Sequence, residues 1–239
     1  GARLAWARRE AGHIVYPPVG DVVARLAAEP PAAGPVLLVE PADNIGGGAP
    51  GDGTGVLRAL LATRDLRPAL VVINDPAAVA NLAATGPGSA VRVSVGGRGW
   101  RGDAGPVTLD ATFISRSDGR FNLEDPHSHL ASMSGTSFDM GPCAVVRTDG
   151  ITVLLTSRKT PPFDLGQLRS QGLEPAGFAA IGVKAAVAHK RAYDPVARAS
   201  HYVDTPGPCS SNLAAFPWRR LRRPAWPVDP ATAFRCEFS

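Results

Sequence analysis

The sequence predicts an α/β domain: a mostly parallel sheet flanked by helices, with an inserted antiparallel β-hairpin region. Three observations lead there. Short apolar runs bounded by breakers, at residues 35–40 (PVLLVE) and 69–73 (ALVVI), have the unbroken hydrophobicity of strands covered on both faces. Each is followed by a loop and a helix-like segment, the alternation that right-handed crossovers produce. Residues 107–115 and 144–157 instead alternate apolar and polar side chains. Turn signals at Asp118-Gly119 and Asp149-Gly150 then read as antiparallel hairpins.

In chain order, residues 1–12 look helical, with Gly12 as the stop. Residues 19–26 form a second helix with Val22, Val23 and Leu26 on one face, closed by Pro30 and Pro31. After the first strand, Thr54 stands where an N-cap would precede Val56, Leu57, Leu60 and Leu61. After the second, Asp75 is an N-cap with Pro76 at the first helical position, and the helix runs to about residue 84. Residues 89–95 read as the third strand of this series, ending at Gly96-Gly97. Residues 122–142 are loop-like. Beyond them come a helix at 163–171, a strand at 177–184, a helix at 187–199 broken near Pro195, and a short strand at 202–203. A Pro/Arg-rich strap follows Pro206-Gly207.

Composition excludes several classes. With 44% hydrophobic residues and a formal charge of only +4, the chain has enough apolar surface for a core and is not disordered. Arg219, Arg220, Arg222 and Arg223, with Trp218 and Trp226, read as a solvated strap, and no nucleic-acid partner is expected. No apolar run reaches the ~18 residues of a membrane span, so no membrane partner is expected. Cys143, Cys209 and Cys236 lack CxxC spacing and read as buried free thiols of a cytoplasmic protein.

Residues 43–54 (DNIGGGAPGDGT) carry most of the functional signal. They lie between a strand and a helix, where open α/β sheets bind ligands. Residues 46–51 satisfy G-x-G-x-x-G literally, but several residues separate the strand from Gly46, and Pro50 removes a donor. Two readings stay open: a tight multi-turn loop, or a site for a carboxylate, phosphate or substrate backbone. Lys184, His189 and Arg191 follow a strand end as a cation cluster that could hold a substrate carboxylate or an oxyanion, or simply as a basic helix surface. Asp204 ends a strand on the same presumed face, where it could orient a cation or cap a turn. His127-Ser-His129, with Glu124, Asp125 and Asp139, is too weak a pattern to assign a metal.

The segment ADNIGGGAPGDGT resembles the A-D-N-P-G-G-G-A-P-G-D-x-T stretch of the MlrC (microcystinase C-like) family. Gly96-Gly97 agrees in order. So do Lys184, His189 and Arg191 against K-S-x-x-H-F-R, Asp204 to Gly207 against D-x-P-G, and Arg223 to Asp229 against R-P-I-W-P-L-D. Ile45, Ala185 and Lys190 depart from those patterns, and His189 lies one residue further from Lys184. The resemblance implies the C-terminal, cleft-completing domain of a zinc-dependent hydrolase acting on peptide or amide bonds, linearised microcystin among its substrates. It implies that zinc is bound by an N-terminal MlrC-type domain, the expected partner, with none expected in this chain. Residues 1–30 would then be a helical lead-in and 31–239 the C-terminal α/β domain. Asn44, Gly46, Gly47, Gly48, Asp52, Thr54 and Asp204 would contact a peptide or small amide substrate, with Lys184, His189 and Arg191 as catalytic candidates. The alternative is a stand-alone module binding a small anion or nucleotide through residues 46–53.

Overall fold

The two apolar runs become interior strands of one eight-stranded sheet in the computed structural model, which describes residues 1–29 and 32–234. α1 (Ala2–Ala7) and a 3₁₀ turn lead into α2 (Val19–Ala27), then β1 (Val36–Val39), α3 (Gly55–Leu61), β2 (Ala69–Asn74), α4 (Pro76–Asn81) and β3 (Ala90–Val95). The middle contains β4 (Val107–Ser117), β5 (Arg120–Asn122), α5 (His129–Ser134), β6 (Ser137–Asp139), β7 (Cys143–Thr148) and β8 (Ile151–Thr156). α6 (Gly166–Arg169), β9 (Ala180–Val183), α7 (Lys190–Tyr193) and β10 (Ala199–Tyr202) complete the regular elements. The sheet order is β10-β1-β9-β2-β8-β7-β4-β3, with β5 and β6 forming a separate pair. β10, β1, β9, β2 and β8 run parallel, and β7, β4 and β3 are added antiparallel.

Alternate residues of each central strand feed two cores. Val36, Leu38, Val71 and Ile73 pack with Val22, Leu26, Leu57 and Leu60 of α2 and α3 on one face. Leu37, Val39 and Leu70 pack with Leu168, Tyr193 and Phe121 on the other. Each fully buried Leu or Val contributes roughly 1.5–3 kcal/mol. α2, assigned to the lead-in from sequence, thus packs within the core. The Asp149-Gly150 turn is formed as expected, with φ of 44° and 75°, the left-handed pair that a two-residue hairpin demands.

Several sequence expectations are corrected. β3 is not a third parallel strand but an antiparallel edge strand on β4, with Arg92 opposite Asp110 and ion-paired to it. Its alternation of Val with Arg92 and Ser94 is that of a half-exposed strand. Asp118-Gly119 does not close a hairpin with β4, since β5 pairs with β6. Residues 122–142 hold α5 and β6 rather than loop alone. The helices expected at 163–171 and 187–199 shrink to single turns. Cys143 is buried, and burial pushes its thiol up to about 11. Cys209 is only partly buried, and Cys236 lies outside the described residues. Among the described residues no helix is long and apolar enough to cross a membrane.

Candidate functional site

The carboxyl ends of β1, β2, β9 and β10 lie along one edge, and the glycine loop leaves β1 there. Under the loop is a buried ionic cluster. Lys184, one residue past β9, places its Nζ 2.6 Å from Glu40 Oε1 and 3.0 Å from Asp43 Oδ2, and donates to the Gly53 carbonyl at 2.8 Å. Asp43 also accepts the amides of Gly51 (2.8 Å) and Gly53 (2.7 Å). Burial works against the Lys184 charge, but Glu40 and Asp43 outweigh it and push its pKa up, so the ammonium persists. One ammonium serves two carboxylates, and burial correspondingly raises Glu40.

A second set of bonds ties the loop to the segment after β3. Asp52 accepts the amides of Arg98 and Gly99, both at 2.7 Å. Asp75 caps α4 through the Ala78 amide at 2.9 Å, accepts the Gly96 amide, and pairs with Arg98 at 2.7 Å. Thr54 occupies the N-cap position of α3 without capping it. Its hydroxyl donates to Asp103 at 2.7 Å, while its amide bonds the same carboxylate at 3.0 Å. The amides of Gly47, Gly48, Ala49, Gly51, Gly53 and Thr54 therefore all donate inside the protein, which disfavours a phosphate cradle here.

Two cavities open beside this rim. The first, of about 530 Å³, is lined by Gly48, Pro50, Asn74, Arg98 and Lys159 among others. Lys159 has no ion-pair partner among the described residues, and its nearest polar contact is the Ala49 carbonyl at 3.5 Å. The second is lined in part by Asp204, whose carboxyl is raised by burial.

The structure separates the predicted cation cluster. Lys184 is buried in the ionic trio and His189 is fully buried between Tyr193 and Tyr202. Neither ring nitrogen of His189 has a hydrogen-bond partner among the described residues, and burial lowers its pKa. Arg191 is exposed and pairs with Asp125. Asp52 and Thr54 are buried supports, whereas Gly46, Gly47 and Gly48 form the exposed tip, with Asn44 partly covered beneath. Glu40, Arg98 and Lys159 were not singled out from sequence, and Asp75 was read there only as a helix cap. Of the first three, only Glu40 left a trace, as a charge closing a wholly apolar run.

Comparison with known proteins identifies the family. A family model described as the MlrC C-terminus matches residues 38–220. Microcystinase C from Sphingomonas sp. is 27% identical over 205 residues, which cover 85% of this chain and 38% of that protein. A crystal structure of a protein from Mesorhizobium sp. BNC1, proposed to be a metallopeptidase, superposes with a TM-score of 0.82 at 25% identity. That match covers 99% of this chain and 45% of the other, so the chain spans less than half the length of either relative. With the family match running from β1 into the strap, the chain belongs to the MlrC C-terminus family.

Proposed function

We propose that this chain is the C-terminal, cleft-completing wall of an MlrC-like hydrolase that depends on zinc and acts on peptide or amide bonds. The observation that carries this reading is the rigid rim at the strand ends. Its charges are consumed internally among the described residues, apart from Lys159 at an open cleft on one side and Asp204 on the other. Among the described residues no group of three or more His, Cys, Asp or Glu side chains could hold a metal. Glu40, Asp43, Asp52 and Asp75 are already engaged by Lys184, backbone amides and Arg98. These residues do not fit a zinc ion, so the ligands are assigned to an N-terminal MlrC-type domain, and no bond-breaking step is placed here. This chain's part is to bind and orient. Lys159 is positioned to hold a substrate carboxylate or carbonyl, and the Gly46–Gly48 tip gives a flat backbone surface for an extended peptide to lie against.

The test measures zinc content and hydrolysis of a linear peptide, on this chain alone and joined to an MlrC-type N-terminal domain. Zinc and hydrolysis only in the joined protein are expected. There, Lys159→Ala should raise KM about tenfold with zinc content unchanged, as loss of a charged hydrogen bond would. Zinc binding or hydrolysis by the short chain would refute the proposal.

A further inference from the structure

The second cavity, of about 500 Å³, has an apolar wall and an uncompensated charge. Trp100 and Phe216 meet edge to face, with ring centroids 5.9 Å apart, and Pro206 and Pro217 extend the apolar surface. Asp204 supplies the charge. Its amide donates to Pro17 and its carbonyl accepts from Val19, but its carboxylate has no hydrogen-bond or ion-pair partner among the described residues. A partly buried carboxylate without a donor is costly, and the upward shift of its pKa under burial is the same fact in another form.

The floor is set firmly. A Cβ on Gly207 would lie 2.2 Å from the Ala42 carbonyl oxygen, and one on Gly55 2.8 Å from Thr205 Cγ2. The turn carrying Asp204 is thus packed directly on the glycine loop and α3. The opposite wall, the segment carrying Trp100, is fastened through Asp103 to Thr54. Such a site needs little reorganisation on binding.

We propose that this cavity binds an organic monocation carried on an apolar body, with Asp204 as counter-charge and the Trp100 and Phe216 rings among its walls. Aromatic faces attract cations, and a carboxylate partner reinforces them. Arg101 also lines the cavity but is exposed, so solvent screens it more than Asp204.

The site belongs to this chain and does not depend on hydrolysis, so its test stands apart from that of the hydrolase reading. Phenethylammonium, its neutral isostere 2-phenylethanol, and phenylacetate are titrated against the chain by calorimetry and ligand-observed NMR. Phenethylammonium should bind on the order of tenfold more tightly than 2-phenylethanol, with phenylacetate weakest. Asp204→Asn should abolish the preference for the cation, and Phe216→Ala, at the cavity's lip, should weaken both the amine and the alcohol. Equal binding of amine and alcohol, tighter binding of phenylacetate, or no binding of any probe would overturn the proposal. A cation preference that survives Asp204→Asn would do the same.

Discussion

Lys184→Met keeps the aliphatic stem and removes the charge beneath the glycine loop. Removing one partner of a buried ion pair costs about 3–5 kcal/mol, because the other charge is left uncompensated. Two carboxylates face the vacated position here, at 2.6 and 3.0 Å, and the Gly53 carbonyl also loses its donor. The upper part of the range therefore applies, about 4–5 kcal/mol. At roughly 2–4 °C per kcal/mol for a domain of this size, Tm should fall by about 8–20 °C in calorimetry near neutral pH. Adding Glu40→Gln should recover part of the loss, since one of the stranded carboxylates is then neutral. The raised pKa of Lys184 fixes the pH dependence. Its contribution is whole below the ordinary value of 10.5 and is lost as pH rises through the higher folded value. The gap between parent and variant should thus narrow toward acid, as the raised Glu40 carboxyl protonates, and on the alkaline side close only in strong alkali. A variant melting within about 2 °C of the parent, or a further loss on adding Glu40→Gln, would show that the trio does not hold the loop.

Three further outcomes follow from the same geometry. His189→Leu removes two unpaired buried nitrogens, so stability at neutral pH should be retained or rise by about 1 kcal/mol in urea denaturation. A lowered histidine pKa means the unfolded chain takes up the proton first. Parent stability should therefore fall as pH drops below about 6.5, and the variant should keep only the part due to His201, which burial also lowers. Asp75→Ala should cost more than the ~1 kcal/mol of a lost N-cap, because Arg98 and the Gly96 amide lose the same carboxylate. A loss below that figure in urea titration would separate the cap from the rim. Gly53→Ala should cost about 1–3 kcal/mol by overpacking, since its Cβ would sit 2.9 Å from Asp43 Oδ2. An unchanged urea midpoint would mean the Asp43 cage yields easily.

What the sequence made legible was local. The runs at β1 and β2, the Asp75-Pro76 helix start and the Asp149-Gly150 turn each need only neighbouring residues, and all formed as read. What it hid was distant. Thr54 looked like a cap because a helix follows, but Asp103, 49 residues on, takes both its hydroxyl and its amide. Lys184 looked like one of three surface cations. Its partner Glu40 lies 144 residues earlier, and neither side chain reveals the other by spacing. β3 was misread for a related reason. Strand order in sequence suggested a parallel neighbour, while the polar alternation of β3 already recorded a half-exposed edge.

The same distance argument revises what a glycine-rich loop means in this chain. Glycine density after a strand is usually taken as room for a ligand. Here Gly53 gives room to Asp43, and Gly207 lets the Asp204 turn lie directly on Ala42. The Gly51 and Gly53 amides go to the Asp43 carboxylate, which takes the place an anion would fill in a phosphate cradle, and those of Gly47, Gly48 and Ala49 go to backbone carbonyls. Ligand chemistry is therefore displaced from the loop's amides to its flanks. Lys159 stands at one flank and Asp204 at the other, and each carries a charge that the fold leaves without an ionic partner among the described residues. On the proposed reading, the buried charge cluster would fix the rim while the two unpaired charges of opposite sign beside it orient an asymmetric substrate.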